Sequence, residues 1–543
     1  MSEPIPTQEQ SLVIDYSGNL VAIAKPGSGK TFVLAQKIQG ILGEMPEYRG
    51  VIAISYTNKA SAELAQRATR GIVKARASFF GTVDSFCVKE IVLPFLAHLW
   101  GKPASEVTIS RLRDLPPSEA AGFGDLQDGH FSAEYISTHV TSFQSQFLGG
   151  RVFLETLGAL AYFTLKHSNA CRSYLSARYS HVFIDEYQDS GYEQHALFLE
   201  LQSIGLTAVA VGDVDQAIFG FSHKDPKFLL ELAHRSDFRT FQITQNHRCH
   251  ASLVNYSTRI IASQGEIVPA LDTRVFFKAC AGTAAAIAQW IESVLSRVMA
   301  DYQVSRASDI GILVFGNVSG QLVDGAMQRK RRLVQTHPIE EHFSLWAGLF
   351  AQLLSYRYDQ KQTAQAIVDR TARGLNTGES RSALAQIKAL RTVADEELMV
   401  RMEEIAMLLL PNAAKDAALA LLKASKIGDL VRAFRPAADD EVQIMSLHKS
   451  KGLEFDVVFH LDLYEWLLPK KQPGPGNDFD NPIFPSLQQD LNLHYVGVTR
   501  ARKACFLCTS TRRIKSDGDE KKGSPSEFLN INGLPQLRVP SPY

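Results

Sequence analysis

The stretch Leu20-Val21-Ala22-Ile23-Ala24-Lys25-Pro26-Gly27-Ser28-Gly29-Lys30-Thr31 decides the fold of this chain. It joins an apolar run to a Gly-rich turn and to the helix-like segment 32–42, which predicts a strand, a tight loop and a helix N-terminus. Backbone N–H groups of such a loop converge on a phosphate, and the helix dipole adds favourable potential. Lys30 would then supply charge to the β- and γ-phosphates, and Thr31 a hydroxyl to Mg²⁺. We therefore predict that residues 24–31 bind a nucleoside triphosphate, with Ala24 standing where the general pattern has Gly.

A second segment predicts hydrolysis of the bound nucleotide. The apolar run 181–184 ends in the acids Asp185 and Glu186, and two acids at the end of a parallel strand suit a nucleotide site at a sheet edge. Asp185 would hold Mg²⁺, and Glu186 would polarise the attacking water. An isolated Asp-Glu pair is usually a solvated loop, but its position beside an intact phosphate loop favours the catalytic interpretation.

Composition limits the class of protein without naming a partner. The chain has 543 residues, 45% of them hydrophobic and 21% charged, which is ordinary for a globular protein of three or four structural units. Lys+Arg and Asp+Glu balance at 57 each, so a basic groove must come from local placement. The N-terminus lacks the apolar core of a signal peptide and no run reaches spanning length, so we expect a cytoplasmic protein without a membrane partner.

The six cysteines give no metal-binding pattern. Only Cys505 and Cys508 have metal-like spacing, and no second pair accompanies them. Both lie in an apolar run, so a buried strand with reduced thiols explains them better than a metal or redox role.

Apolar runs alternate with helical patterns in both halves of the chain, which indicates two parallel sheets wrapped by helices. We predict an α/β fold of two such domains, each split by a helical insertion. The first domain covers residues 1–98 and 172–252, and its insertion covers residues 99–171. The second covers residues 253–328 and 440–543, and its insertion covers residues 329–439. Residues 469–486 are predicted to be a loop, and residues 511–523 a mobile charged segment.

Read in order, eight further segments resemble the motifs of superfamily 1 DNA helicases of the UvrD/Rep type. The resemblance covers both predicted α/β domains and implies two RecA-like folds with ATP in the cleft between them. The segments are Thr7-Gln8-Glu9-Gln10, Tyr56-Thr57-Asn58-Lys59-Ala60, Gly81-Thr82-Val83-Asp84-Ser85-Phe86, Asp185-Glu186-Tyr187-Gln188-Asp189, Val211-Gly212-Asp213-Val214-Asp215-Gln216-Ala217-Ile218-Phe219-Gly220-Phe221, Gln245-Asn246-His247-Arg248, Leu447-His448-Lys449-Ser450-Lys451-Gly452-Leu453-Glu454-Phe455 and Tyr495-Val496-Gly497-Val498-Thr499-Arg500-Ala501.

The resemblance assigns roles around ATP. Gln10 would read the adenine edge, Glu454 would contact the ribose, and Gln216 would sense the γ-phosphate. Arg248 and Arg500 are planar, permanently charged forks suited to that phosphate. Arg500 would act as an arginine finger from the second domain, completing the site when the cleft closes.

The resemblance also implies contacts with single-stranded DNA or a tailed duplex. Three aromatics occupy positions where relatives stack bases, and three polar residues would touch the strand backbone. For two of the aromatics, Phe219 and Phe221, core packing is the competing interpretation. The aromatics are Tyr56, Phe219 and Phe221, and the polar residues are Asn58, Thr82 and His448.

The chain departs from the family pattern at several positions. Phe32 and His247 stand where relatives place the Arg and Tyr that sandwich adenine. Residues 221–223 read Phe-Ser-His instead of Trp-Arg-Gly, and residues 491–492 read Leu-Asn where an arginine pair is frequent. The second insertion is short for the family, and this compact layout resembles the helicase-like subunits of anti-phage systems such as Gabija, which work beside a nuclease.

Together these observations predict an ATP-dependent DNA helicase or translocase that moves 3′ to 5′ by family analogy, in DNA repair or anti-phage defence, with Mg²⁺ as cofactor. The alternative is a DNA-activated ATPase that serves as a sensor or regulatory subunit of a nuclease complex and unwinds little. A third hypothesis, an RNA-binding module with a phosphate loop, is disfavoured by the DNA-type segments 56–60 and 211–221.

Overall fold

The computed structural model describes residues 5–70, 75–105, 107–124, 131–220, 224–342, 344–360, 362–371, 376–411, 413, 415–515 and 517–543. Strands and helices are numbered in chain order. The strands are β1 Leu20–Ala24, β2 Gly50–Ile54, β3 Phe79–Gly81, β4 Thr108–Ser110, β5 Arg151–Phe153, β6 Tyr179–Ile184, β7 Thr207–Gly212, β8 Arg239–Ile243, β9 Val275–Cys280, β10 Ile310–Val314, β11 Arg331–Leu333, β12 Val442–Ser446, β13 Phe455–His460, β14 Gln472–Gly474, β15 Asp478–Ile483, β16 Ala501–Ser510, β17 Arg512–Ile514, β18 Glu520–Lys522 and β19 Val539–Pro540.

The α-helices alternate with these strands along most of the chain. They are α1 Gln8–Asp15, α2 Lys30–Glu44, α3 Asn58–Ala68, α4 Val83–Phe86, α5 Leu93–Trp100, α6 Pro117–Ala120, α7 Ala133–Thr138, α8 Val140–Leu148, α9 Leu157–His167, α10 Asn169–Arg178, α11 Tyr192–Ser203, α12 Lys227–His234, α13 Ala251–Ile261, α14 Ala284–Asp301, α15 Asn317–Ala326, α16 Pro338–Glu341, α17 Leu345–Tyr358, α18 Ala364–Thr371, α19 Thr377–Ala389, α20 Asp395–Leu409, α21 Asp416–Ala424, α22 Ile427–Phe434, α23 Leu447–Ser450 and α24 Leu487–Thr499.

Two parallel sheets organise one compact unit, formed by residues 1–83, 173–333 and 437–543. The first sheet has the order β3-β2-β6-β7-β1-β8, and the second has the order β11-β12-β10-β13-β16-β9-β19. All pairings within both sheets are parallel. The apolar runs 20–24 and 51–54 are buried almost throughout, because helices cover both faces of a parallel sheet. The α/β fold predicted from the sequence is therefore confirmed.

The remaining residues, 84–172 and 334–436, form a second compact unit that is mostly helical. Its C-terminal part contains helices α16 to α22 around a core that includes Trp346, Phe350 and Ile387, all fully buried. The indole N–H of Trp346 donates to the Leu410 carbonyl at 3.1 Å, so this polar atom is satisfied inside the core. The four-part division of the chain into two domains and two insertions stays a prediction.

Several short strands differ from the sequence-based expectation. The insertion 99–171 contains the parallel pair β4–β5, in which Thr108 lies opposite Arg151. The predicted loop 469–486 contains the antiparallel pair β14–β15, and the segment 511–523 contains the antiparallel pair β17–β18. These strands carry polar and charged side chains and span three to six residues, so the apolar runs that reveal longer strands are absent from them.

The structure gives the burial of the cysteines and the length and apolar character of the helices. Cys505 and Cys508 are buried in β16, and burial raises the pKa of the Cys508 thiol well above its ordinary value. Among the described residues, no helix combines the length and the apolar character needed to cross a membrane.

Candidate active site

The predicted nucleotide-site residues of the first sheet follow the carboxyl ends of its strands. Residues 25–31 follow β1, Asp185 follows β6, Asp213 follows β7, and the segment 244–248 follows β8. Because all six strands are parallel, these carboxyl ends lie at one edge of the sheet, where ligands bind in open α/β folds. Sheet topology alone therefore brings together groups that lie more than 200 residues apart in the sequence.

The Gly-rich loop between β1 and α2 depends on glycine for steric reasons. Gly27 and Gly29 have φ values of 72° and 84°, in the left-handed region. A Cβ atom on Gly29 would lie 2.7 Å from Gln10 Nε2, and one on Gly27 would lie 2.7 Å from Asn246 Oδ1. The loop therefore has side chains packed closely against both glycines, and larger residues at either position would displace it.

Three donors from outside the loop hold its carbonyl groups. Gln10 Nε2 donates to the Ser28 carbonyl at 2.8 Å, and Asn246 Nδ2 donates to the Pro26 carbonyl at 2.8 Å. The His247 N–H donates to the Gly27 carbonyl at 2.9 Å. Gln10 Oε1 also accepts from the Thr7 N–H at 2.9 Å, and the amide keeps one further N–H and one further lone pair beyond these two bonds.

The Lys30 side chain carries a buried charge without a hydrogen-bonding partner among the described residues. Its ammonium is shielded from solvent and donates no hydrogen bond, and its nearest acid is Glu186, with 3.8 Å between Lys30 Nζ and Glu186 Oε2. A buried ammonium without hydrogen bonds is costly. At the start of α2, beside a loop of phosphate-binding form, this cost is the expected sign of a site built for an anion.

The acidic pair at the end of β6 is buried and strongly coupled. The Asp185 N–H donates to the Ile54 carbonyl of β2 at 2.9 Å, and Asp185 Oδ1 accepts from the Glu186 N–H at 2.9 Å. Burial, and then the neighbouring Glu186 carboxylate, raise the pKa of Asp185 to about 7. Burial also opposes ionisation of Glu186, but Lys30, Lys451, the Gln188 hydrogen bond and Arg500 outweigh it and lower the pKa of Glu186 to about 2. Glu186 is thus the member of the pair that stays ionised.

The backbone of Glu186 adopts a conformation that few non-Gly residues take. Its φ and ψ are 55° and 44°, in the left-handed region, a local strain that is found most often at functional sites. Its Oε2 atom accepts from Gln188 Nε2 at 2.5 Å, and Gln188 Oε1 in turn accepts from the Asp213 N–H at 2.9 Å. This bridge ties the acidic pair after β6 to the segment after β7.

Arg500 reaches the first sheet's site from the second sheet. It follows α24 and is 2% exposed, and its NH2 group donates to Gln216 Oε1 at 3.1 Å. Gln216 Nε2 donates to Asp213 Oδ2 at 2.7 Å, so the amide of Gln216 connects the two sheets. Burial, and then repulsion from Arg248, lower the pKa of Arg500 to about 10, which leaves the guanidinium charged at neutral pH.

Two further ion pairs connect segments of the two sheets. Arg248 NH2 lies 2.7 Å from Glu454 Oε1. Lys451 Nζ lies 2.5 Å from Asp189 Oδ2 and donates to the Gln216 carbonyl at 2.6 Å. Lys451 lies inside the segment 447–455, but its local pattern predicted no role for it. The burial that makes this lysine need an acidic partner is visible only in the structure.

The remaining predicted cofactor residues lie around this site with different exposure. Thr31 is half-buried in the first turn of α2, and Phe32 packs against the core of the first sheet. His247 is exposed. Whether Phe32 and His247 hold adenine stays a prediction.

An aromatic cluster lies beside Lys451. Tyr56, which follows β2, stacks on Phe219 with ring centroids 4.7 Å apart and planes 20° apart. The Phe219 ring is 6.1 Å from the His448 ring and 5.0 Å from Lys451 Nζ. Tyr56 is 41% exposed, so one face of this cluster is accessible to a ligand.

The structure says less about how the other predicted DNA-contact residues would meet a strand. Thr82 follows β3 and is half-buried. Asn58 begins α3 behind its N-cap Thr57, but its side chain is not among those described. Phe221 lies outside the described residues.

Comparison with known proteins identifies the family. Residues 6–110 and 141–237 match the UvrD/REP helicase N-terminal domain, and residues 337–512 match the UvrD-like helicase C-terminal domain. The chain therefore belongs to the UvrD/Rep family of superfamily 1 helicases, and it is an ATP-hydrolysing DNA helicase by class.

Individual relatives differ in how much of the chain they cover. The chain is 22% identical to the ATP-dependent DNA helicase UvrD2 of Mycobacterium tuberculosis, over 98% of this chain and 82% of that protein. It is 22% identical to the ATP-dependent DNA helicase PcrA of Staphylococcus aureus, over 96% of this chain and 85% of that protein. It is 31% identical to the Gabija protein GajB of Bacillus cereus, where the similarity covers 45% of this chain and 47% of GajB.

The geometry of the acidic pair makes a first prediction. Glu186→Gln keeps the size of the side chain and one oxygen that can accept from Gln188, but it removes the ionised base. ATP binding should therefore persist while turnover falls by about 10²- to 10⁴-fold, as is usual when general-base catalysis is lost. Steady-state ATPase and nucleotide binding on the same preparation would check this. Turnover near the wild-type rate in the presence of DNA would show that another group activates the water.

Proposed function

We propose that the chain is a single-stranded DNA translocase that couples ATP hydrolysis to movement in the 3′ to 5′ direction and unwinds tailed duplexes. The observation that carries this proposal is a continuous set of contacts from the phosphate loop to the aromatic cluster. A protein that bound only ATP or only DNA would not need contacts between its phosphate loop and an aromatic cluster.

The contacts pass through Gln216 and the ammonium group of Lys451. Gln216 accepts from Arg500 through its side chain and from Lys451 through its carbonyl. Lys451 Nζ in turn lies 5.0 Å from the Phe219 ring, which stacks on Tyr56. A change in the position of Arg500 or Gln216 when a γ-phosphate binds would therefore reach the cluster through packed groups, which is how coupling travels in proteins.

The proposed chemistry at the phosphates uses this chain's own charges. Lys30 binds the β- and γ-phosphates with an ammonium that donates no hydrogen bond within the described residues, and Glu186 accepts the proton of the attacking water. Arg248 and Arg500 stabilise the charge that develops on the transferred phosphoryl group, and Gln216 senses that group. Arg248 must exchange its contact with Glu454 for a phosphate oxygen. Little is lost in this exchange, because guanidinium contacts with carboxylate and with phosphate are both charge-assisted and can both be bidentate.

A magnesium ion fits the same site. Asp185 and Thr31 offer the carboxylate and hydroxyl oxygens that Mg²⁺ prefers, and the raised pKa of Asp185 marks a buried carboxyl group in need of a positive charge. The ion would be held by these two residues together with the nucleotide, and when bound it would neutralise phosphate charge.

Strand displacement tests the function directly. Duplexes with a 3′ tail, a 5′ tail or blunt ends would be incubated with the protein, ATP and Mg²⁺. The proposal predicts displacement of the 3′-tailed duplex and little of the other two. Displacement restricted to the 5′-tailed duplex would contradict the direction.

The aromatic cluster gives a second prediction. Tyr56→Ala combined with Phe219→Ala should weaken binding of single-stranded DNA by about 1–3 kcal/mol per stacked base, and DNA-stimulated ATPase should fall with it. ATPase without DNA should change little, because both rings lie outside the phosphate site. Fluorescence anisotropy with a labelled oligo(dT) would measure the affinity. Unchanged affinity in a folded double variant would assign both rings to core packing.

The similarity to GajB favours a second possibility, that the chain acts in anti-phage defence beside a nuclease subunit, as a DNA-activated ATPase that unwinds little. The displacement assay separates the two readings, since this alternative predicts ATPase stimulated by DNA without displacement of any duplex. Phage plating on cells that carry the native gene neighbourhood, with wild-type protein or with Lys30→Ala, would test the defence role.

A further inference from the structure

An open cavity lies beside the hairpins β14–β15 and β17–β18, outside the predicted nucleotide site. Its volume is about 500 Å³. Phe479 of β15 and Trp466 line one part of it, and Arg513 of β17 with Lys521 and Lys522 of β18 line another. None of these residues belongs to the predicted ATP or DNA sites.

The walls of this cavity are fixed to one another by the backbone. The Glu465 N–H donates to the Ser524 carbonyl at 2.9 Å, and the Ser526 N–H donates to the Leu463 carbonyl at 2.8 Å. The buried Tyr464 hydroxyl accepts from the Ser510 N–H at 3.0 Å. The segment that carries Trp466 is therefore held against the base of the β17–β18 hairpin, and the cavity is largely preformed.

In the aromatic part of the lining the Phe479 ring is exposed, whereas Trp466 is half-buried with Lys471 Nζ 5.7 Å from its ring. Trp466 and Phe479 have ring centroids 5.6 Å apart with planes at 46°, and Phe479 is 58% exposed. Trp466 also has a φ of 67°, in the left-handed region, which is costly for a bulky residue and marks functional positions more often than others. An exposed ring on a fixed backbone is suited to stack on a flat ligand.

The cationic part of the lining carries more positive than negative charge, although the Arg513 guanidinium interacts with the nearby Asp462 carboxyl. Arg513 lies directly opposite Lys521 across β17 and β18, and like charges at directly opposite positions destabilise a strand pair. Within the described part of the chain, neither Lys521 nor Lys522 nor Arg513 forms a salt bridge, whereas the lining acid Glu465 is already paired with Lys471, 3.0 Å away. The cavity is therefore positively charged, and an anion would relieve the repulsion.

We propose that this cavity binds a nucleotide unit, with the base on Trp466 and Phe479 and the phosphate beside Arg513, Lys521 and Lys522. The unit is supplied either by a DNA strand or by a free mononucleotide, since both combine an aromatic base with a phosphate. The DNA source rests on the proposed function, and the site would then lengthen the path of the strand beyond the Tyr56–Phe219 cluster.

Charge reversal and ring removal test the site. Anisotropy with a labelled 16-nucleotide oligo(dT) would compare the wild type with Lys521→Glu/Lys522→Glu and with Phe479→Ala. The matched control is Lys330→Glu/Lys423→Glu, which makes the same change in net charge at lysines that are 74% and 63% exposed. We expect the affinity to fall about fivefold or more in both test variants. The slope of log K against log salt concentration should become shallower by about 0.7 to 1.4 in the lysine variant, as expected when a single strand loses one or two phosphate contacts. ATPase without DNA should stay at the wild-type level.

Tryptophan fluorescence distinguishes the two sources of the nucleotide. Quenching by oligo(dT) but not by dTMP assigns the cavity to a DNA strand, and quenching by millimolar dTMP assigns it to a mononucleotide; Trp466→Phe should abolish either signal. The proposed site would be contradicted if the test variants bound oligo(dT) with the affinity of the control variant and neither oligo(dT) nor dTMP quenched the fluorescence. Failure of the wild type to bind oligo(dT) at all would instead count against the proposed function, and the dTMP titration would still decide the cavity.

Discussion

Lys30→Ala is expected to reduce ATP turnover to the background of the assay. The β- and γ-phosphates lose the one cation of the Gly-rich loop that is buried at the start of α2, and no other lysine of that loop is comparably placed, since Lys25 pairs with Asp215 and its side chain is 46% exposed. Steady-state ATPase with saturating single-stranded DNA would measure the loss.

The same variant should be less stable than the wild type without nucleotide. Lys30 donates no hydrogen bond within the described residues, but its positive charge is the largest that favours ionised Glu186, and removing one partner of a buried charge pair is destabilising. Thermal unfolding should therefore give a lowered midpoint, while the upward shift caused by ATP should disappear. Lys330→Ala, at an exposed site, is the surface control. An upward shift with ATP equal to that of the wild type would mean that Lys30 does not bind the phosphates.

Arg500→Ala should lower turnover by about 10³- to 10⁵-fold, the range for a removed arginine finger. Arg500 lies far from Lys30 in the sequence, yet its guanidinium contacts Gln216 and experiences the charge of Glu186. ATP affinity should fall less than turnover, because in the proposed function the Gly-rich loop and Lys30 supply most of the binding contacts. Nucleotide binding and ATPase would be measured on the same preparation.

Arg500→Lys sharpens this test. It keeps the positive charge but loses the planar fork that reaches Val496, Leu453 and Gln216 together, so it should recover only a small part of the activity. Near-normal turnover in Arg500→Ala would show that the second sheet contributes no charge to hydrolysis.

The strands that position the site could be predicted because they are long and apolar. The runs 20–24, 181–184 and 207–212 became β1, β6 and β7, since burial on both faces of a parallel sheet selects continuous apolar residues. The edge strand β19 and the β17–β18 hairpin contain Pro, Lys and Arg. These strands form because neighbouring strands lie beside them, and a local sequence pattern carries no information about such neighbours.

The sequence predicted the candidate site as a set of residues but not as a set of contacts. The sequence pointed to Gln216 and Arg500 through family resemblance, and the structure shows the hydrogen bond between them. The roles of Gln188 and Asn246 as supports depend on which strand ends lie side by side. Lys451 was missed because its acidic partner, Asp189, lies 262 residues away in the sequence.

The most direct test of the central claim is the ATPase rate of the wild-type protein with and without single-stranded DNA. If the phosphate site and the Tyr56–Phe219 cluster are coupled through Gln216 and Lys451, oligo(dT) should stimulate turnover severalfold or more. The Tyr56→Ala/Phe219→Ala variant should then keep the unstimulated rate and lose the stimulation. A wild-type rate that is the same with and without DNA, in protein shown to bind both ligands, would contradict the coupling on which the motor function depends.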